Sequence, residues 1–202
     1  MSKQVNTPAG WATVLLWVLM SALGGGIGFA LGFAVSGTLP DFVGRTGRDV
    51  VLFGLFGGSV GIAQWLVLRT RIVGAGWWVP VSFFAWIVIG ALASPLEQIT
   101  SLALAPAVAG AVVGVLQSLV LRRHVRWSGL WVIASTVGWA LSWPVAGALD
   151  EVVALVVTDE IVGYVVLYAI IAAVFGVITG SAFVLLLGQS RLERPEYVES
   201  AA

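Results

Sequence analysis

Six stretches of this chain run for close to 20 residues or more without one charged side chain, and no other feature limits its folding so sharply. A bilayer core about 30 Å thick is crossed by roughly 20 helical residues rising about 1.5 Å each. The stretches extend approximately from Trp11 to Ser36, Val50 to Leu68, Trp77 to Ser94, Leu102 to Leu121, Trp127 to Leu149 and Ile161 to Leu187, and none holds Asp, Glu, Lys, Arg or His. They predict an all-α integral membrane protein with six transmembrane helices. Composition agrees: 59% of the 202 residues are hydrophobic and 10% charged, with a mean hydropathy of +1.03, which does not describe a water-soluble globule.

The predicted domain plan is a short N-terminal segment (1–10), a six-helix transmembrane domain (11–188) and a charged tail (189–202). The first span, about 26 residues after a single lysine, is too long for a signal-peptide core and is expected to be retained. Six spans put both chain ends and the second and fourth connections on one side. That side carries Lys3, Arg69, Arg71, Arg122, Arg123, Arg126, Arg191 and Arg194, against Arg45 and Arg48 on the other. The positive-inside rule then makes both termini cytoplasmic, with the chain multi-pass in the cell inner membrane.

The chain also matches itself. Shifted by 53 positions, Gly57 to Trp86 aligns without a gap to Gly110 to Trp139, and 13 of the 30 pairs are identical, which points to an internal duplication. Each copy reads as a helix, a short basic turn and a returning helix. A weaker third echo matches Gly176 and Gly180 to Gly110 and Gly114, with Phe183 at the glutamine position. The first span, opening at Trp11, then serves as the third returning helix, with Leu19 at the place of the second Trp. The expectation is three parallel helix pairs about an axis along the membrane normal.

The repeated elements are Gly61-Ile-Ala-Gln64-Trp65-Leu-Val-Leu-Arg69, Trp77-Trp78, Gly114-Val-Leu-Gln117-Ser118-Leu-Val-Leu-Arg122, Gly138-Trp139 and Gly176-Val-Ile-Thr179-Gly180. In these the chain resembles a family of uncharacterised polytopic bacterial membrane proteins, over most of the stretch from about Gly57 to Arg191. It departs from that pattern at Ala85, Ser118 and Gly188. The resemblance implies a fold and no reaction.

Gly57, Gly61 and Gln64 are spaced i, i+4, i+7 and share one helix face, as do Gly110, Gly114 and Gln117. Lipid supplies no hydrophobic drive between helices, so small residues and side-chain hydrogen bonds must hold them together. These residues, with Gly176 and Gly180, are read as tight helix contacts, the glutamines bonding across helices. The alternative is that Gln64 and Gln117 face a shared cavity and contact a solute. Arg69, Arg71, Arg122, Arg123 and Arg126 are expected to anchor the helices and to meet lipid headgroups or an acidic partner. Trp78 and Trp131, with Trp77 and Trp127, follow the basic turns directly and are assigned to an interfacial aromatic belt. Trp86 and Trp139 lie about 12 Å deeper and are expected to face protein or a bound apolar ligand. His124, the only histidine, reads as an interfacial residue; the acidic pairs Asp150-Glu151 and Asp159-Glu160 read as a solvated loop.

Function classes narrow accordingly. Equal numbers of basic and acidic residues, ten each, remove the footprint of nucleic-acid binding. The absence of cysteine excludes disulfides, iron–sulfur centres, thiolate zinc and a cysteine nucleophile. Spans without histidine or carboxylate argue against an enzyme and against ion-coupled transport. No cofactor is expected. What remains is a non-catalytic membrane scaffold, accessory or assembly subunit that packs on another membrane protein, lipid or pigment. The alternative is a facilitator or channel for a small neutral solute.

Overall fold

In the computed structural model, which describes residues 10–99 and 104–192, the chain is six α-helices and two single 3₁₀ turns. They are α1 (Gly10–Gly37), α2 (Gly44–Leu68), α3 (Trp78–Ile99), α4 (Leu104–Leu121), α5 (Gly129–Val156) and α6 (Glu160–Leu192). All six are long and apolar enough to cross a membrane. Each expected span falls on one helix over most of its length, but Trp77 sits in the 3₁₀ turn before α3, Trp127 and Ser128 precede α5, and Leu102 and Ala103 lie outside the described residues; the helices overrun the apolar runs mainly at the end away from the basic turns. Helix α2 begins at Gly44 and so includes Arg45, Arg48 and Asp49, while α5 continues through Asp150 and Glu151 to Val156. A helix has no reason to stop where its solvent changes, so the first charged residue does not mark the helix end. For the same reason the stretch after Glu151 belongs mostly to α5, and α6 runs past Gln189 to Leu192. Residues 1–9 and the tail beyond 192 lie outside the described residues.

Consecutive helices pack side by side, and α6 returns to pack on α1, which closes a ring. Glycine sets the spacing at the tightest seams. A Cβ on Gly24 would stand 2.8 Å from Val60 Cα, one on Gly28 would stand 2.8 Å from Phe56 Cα, and one on Gly32 would stand 2.7 Å from the Leu52 carbonyl oxygen. Residue numbers rise along α1 as they fall along α2, so the two helices are antiparallel. Gly57 under Trp86 and Gly61 against Ser82 give the same sense for α2 and α3, and Gly110 against Trp139 with Gly114 against Ser135 give it for α4 and α5. Among the described residues, α3 and α4 touch least of the consecutive helices.

The bundle is apolar on both its inner and outer faces. Its interior combines glycines, serines and aromatic rings with aliphatic side chains such as Leu68, Leu121 and Ile171, while Leu15, Leu19, Leu23, Ile27 and Leu31 of α1 point outward. Where the surroundings are as apolar as leucine, shape and hydrogen bonding decide which face turns inward, not hydrophobicity. The basic turns after α2 and α4 lie at one end of this ring. At the other end Arg48 pairs with Asp41 at 2.9 Å and Arg45 with Asp49 at 3.7 Å.

Candidate functional site

Three indoles meet inside the bundle near the basic end. Trp17 of α1, Trp78 of α3 and Trp131 of α5 are each fully buried. Their ring centroids lie 5.3 to 6.2 Å apart, each pair edge-to-face. Such geometry aims the positive edge of one ring at the negative face of the next, worth about 0.5–1.5 kcal/mol per pair beyond the area buried. Phe183 stacks on Trp17 at 5.1 Å.

An indole N–H can only donate, so each needs an acceptor once water is removed. Trp78 Nε1 donates to Gln64 Oε1 at 3.1 Å, and Trp131 Nε1 donates to Gln117 Oε1 at 2.9 Å. With the amide oxygen so engaged, the amide nitrogen is left to donate elsewhere. Gln64 Nε2 donates to Ser21 Oγ at 3.1 Å, and Gln117 Nε2 donates to Ser82 Oγ at 2.9 Å. Each glutamine therefore ties three helices: α1, α2 and α3 for Gln64, and α3, α4 and α5 for Gln117.

The third indole finds a shorter acceptor. Trp17 Nε1 donates to Thr179 Oγ1 of α6 at 3.1 Å, and the threonine hydroxyl donates back to the Phe175 carbonyl at 2.8 Å. Threonine has no second arm to reach a serine on α5. There Ser135, buried and matched to Ser82 in the 53-position alignment, has a hydroxyl without a hydrogen-bond partner among the described residues. The circuit of indole, acceptor and serine thus runs around the helices and is open at one link, between α5 and α6.

A second aromatic layer lies deeper. Trp86 and Trp139 pack edge-to-face at 4.7 Å, Phe56 packs on Trp86 at 5.0 Å and Phe175 on Trp139 at 5.2 Å. Both tryptophans are almost fully buried and face protein. Trp86 lies directly over Gly57, and a Cβ on Gly110 would come within 2.9 Å of Trp139 Cβ. The indole nitrogen of Trp139 has no partner among the described residues.

Two sequence expectations need correcting. Trp78 and Trp131 do not sit in an interfacial belt touching headgroups; they are fully buried, whereas Trp77 and Trp127 are exposed by 66% and 57%. Distance along the chain from a basic turn fixes depth in the membrane but not which way a side chain points, and Trp77 and Trp78 are about 100° apart around the helix. The third echo is also one helical turn out of register. Gly176, not Gly180, faces Ser21 as Gly61 faces Ser82 and Gly114 faces Ser135. The residue at the glutamine position is accordingly Thr179 and not Phe183. Its indole is Trp17 and not Trp11, which is 71% exposed. The missed signal is a spacing: Trp17 to Ser21, Trp78 to Ser82 and Trp131 to Ser135 are each four residues.

The arginines stay at the surface or near it. Arg69 lies over the Trp65 ring at 5.2 Å, and Arg71 Nη2 donates to Thr13 Oγ1 at 3.1 Å, which joins the first basic turn to α1. Arg122, Arg123, His124 and Arg126 are exposed. Comparison with family models, with curated proteins and with solved structures finds no match.

Proposed function

We propose that this chain is a non-catalytic scaffold or accessory subunit of a bacterial inner membrane, built as three parallel helix pairs with both termini cytoplasmic, which packs through its apolar outer faces on another membrane component. One observation carries the reading. Trp17, Trp78 and Trp131 fill the interior near the basic end, and their polar atoms are bonded to Gln64, Gln117 and Thr179 instead of facing a passage. A solute path needs polar groups turned toward a lumen, and here both glutamine amides are consumed in joining helices. Such a plug supports rigidity over alternating access. The outward leucines, isoleucines and valines provide the contact surface.

Purification from the native membrane in a gentle detergent, with a mass-spectrometric inventory of protein, lipid and chromophore, tests the proposal. A stoichiometric partner is the expected result. A lone protein carrying only bulk lipid counts against it.

A further inference from the structure

The seam between α3 and α4 differs from the others. At the α1–α2 seam glycines let backbones meet, but near the basic end of α3 and α4 bulky side chains face one another and leave a groove of about 520 Å³. That volume is in the range of small-molecule sites. Its walls include Val73, Trp77, Val81, Leu119, Arg123 and His124. Gly74, at φ 78°, turns the chain in a left-handed conformation just before Trp77.

The order of these residues defines the ligand. Val73, Arg123 and His124 belong to the two basic turns, at headgroup level; Val81 lies one turn into α3, and Leu119 within the last turn of α4. The groove is cationic where the chain leaves the membrane and apolar where it enters. Its occupant must be anionic at one end and hydrocarbon at the other. Arg45 and Arg48, at the opposite end, are paired with Asp49 and Asp41, whereas Arg122 and Arg123 stand exposed in a turn with no acidic residue. We infer that the α3–α4 groove binds one anionic phospholipid, its phosphate against Arg123 and its acyl chain along Trp77, Val81 and Leu119. The inference deepens the accessory reading by naming the lipid class at one seam, and rests on that reading only for the membrane setting.

The test is lipid retention. The full chain is reconstituted in vesicles of equimolar phosphatidylcholine and phosphatidylglycerol, released in detergent and weighed by native mass spectrometry. One phosphatidylglycerol per chain is expected to stay bound. Arg123→Gln lowers its retention about fivefold, the effect of about one basic side chain at a membrane surface. Leu119→Trp fills the groove, leaves the charge in place and lowers retention as well. Arg69→Gln, whose guanidinium lies over Trp65 away from the groove, leaves it unchanged. Both lining residues are on the surface, and unchanged thermal unfolding checks that the variants fold. Equal retention of the two lipids, equal loss in Arg69→Gln, or full retention in Leu119→Trp overturns the inference; a transmembrane partner found in the groove in place of lipid does the same. Solute flux through the protein sinks the accessory reading but leaves this retention pattern intact, so the two failures are distinguishable.

Discussion

Trp17 Nε1 and Thr179 Oγ1 are 162 residues apart in the chain and 3.1 Å apart in space, and this one hydrogen bond joins the first helix to the last inside the bundle. It also marks where the pattern of the other two indoles is broken, because the acceptor is a threonine and the serine beyond it is left alone.

That asymmetry predicts a contrast among near-isosteric changes. Thr179→Val keeps the volume and removes the acceptor, leaving a buried indole N–H unpaired at a cost of about 1–3 kcal/mol. Ser82→Ala removes the acceptor of the Gln117 amide and is expected to destabilise by about 1 kcal/mol. Ser135→Ala deletes a hydroxyl that has no partner and is expected to be neutral or slightly stabilising. Thermal unfolding in detergent, followed by tryptophan fluorescence, ranks the three. Equal losses at Ser82 and Ser135 contradict the circuit described here.

The two glutamines should also differ. An isolated interhelical bond in a membrane protein averages about 0.6 kcal/mol, which alone makes Gln64→Leu tolerable. Each amide, however, makes two bonds, so each Leu variant strands an indole and releases a serine, for about 1–3 kcal/mol. At the α1–α2 seam the glycine contacts persist without Gln64, whereas at the α3–α4 seam the amide of Gln117 spans helices that, among the described residues, otherwise touch little. Gln117→Leu is therefore the more damaging. Protease sensitivity of the α3–α4 connection, compared between the variants, is the direct readout, and a larger effect from Gln64→Leu refutes the ranking.

Glycine positions divide by what lies opposite. At Gly28 a methyl group meets Phe56 Cα at 2.8 Å, and backbone cannot swing aside, so Gly28→Ala should destabilise by about 1–3 kcal/mol. At Gly147 nothing lies within 4 Å, and Gly147→Ala should be neutral or gain up to about 1 kcal/mol from helix propensity. Unfolding temperatures of the two variants settle the point. A harmless Gly28→Ala means the α1–α2 contact is looser than described.

How much of this was legible in the sequence varied with the kind of signal. The six helices were readable because hydrocarbon demands about 20 uncharged residues per crossing, which no accident of composition reproduces six times. Gln64 and Gln117 were readable as an identical pair, but their partners were not, since Ser21, Ser82 and Ser135 look like ordinary small residues at helix contacts. Trp78 and Trp131 were assigned to the surface by their nearness to arginines. The better guide was identity between copies: Trp78 matches Trp131, whereas Trp77 matches Leu130 and Trp127 matches Gly74. Every member of the bonded circuit in the two copies repeats, Gln64 with Gln117, Trp78 with Trp131 and Ser82 with Ser135, whereas the exposed tryptophans do not. The one-turn error in the third copy arose because glycines recur every four residues on α6 and α1, so a shift of four still aligns small with small.

Orientation is open to a chemical test, because the chain contains no cysteine. Single cysteines at Arg126 and at Asp159 lie in connections at opposite ends of the bundle. In intact cells a membrane-impermeant maleimide should label Asp159→Cys and spare Arg126→Cys. The reverse pattern places the termini outside.

The central claim, that the bundle is a rigid packing unit and not a conduit, is tested most directly by solute flux. Purified protein in proteoliposomes is mixed with hyperosmotic glycerol or urea, or with impermeant sucrose to read water alone, and shrinkage and any recovery are followed by light scattering. The account predicts rates equal to those of empty vesicles. Flux above that background, reduced by Gln64→Leu combined with Gln117→Leu in protein that remains folded, contradicts it and makes the two amides part of a path.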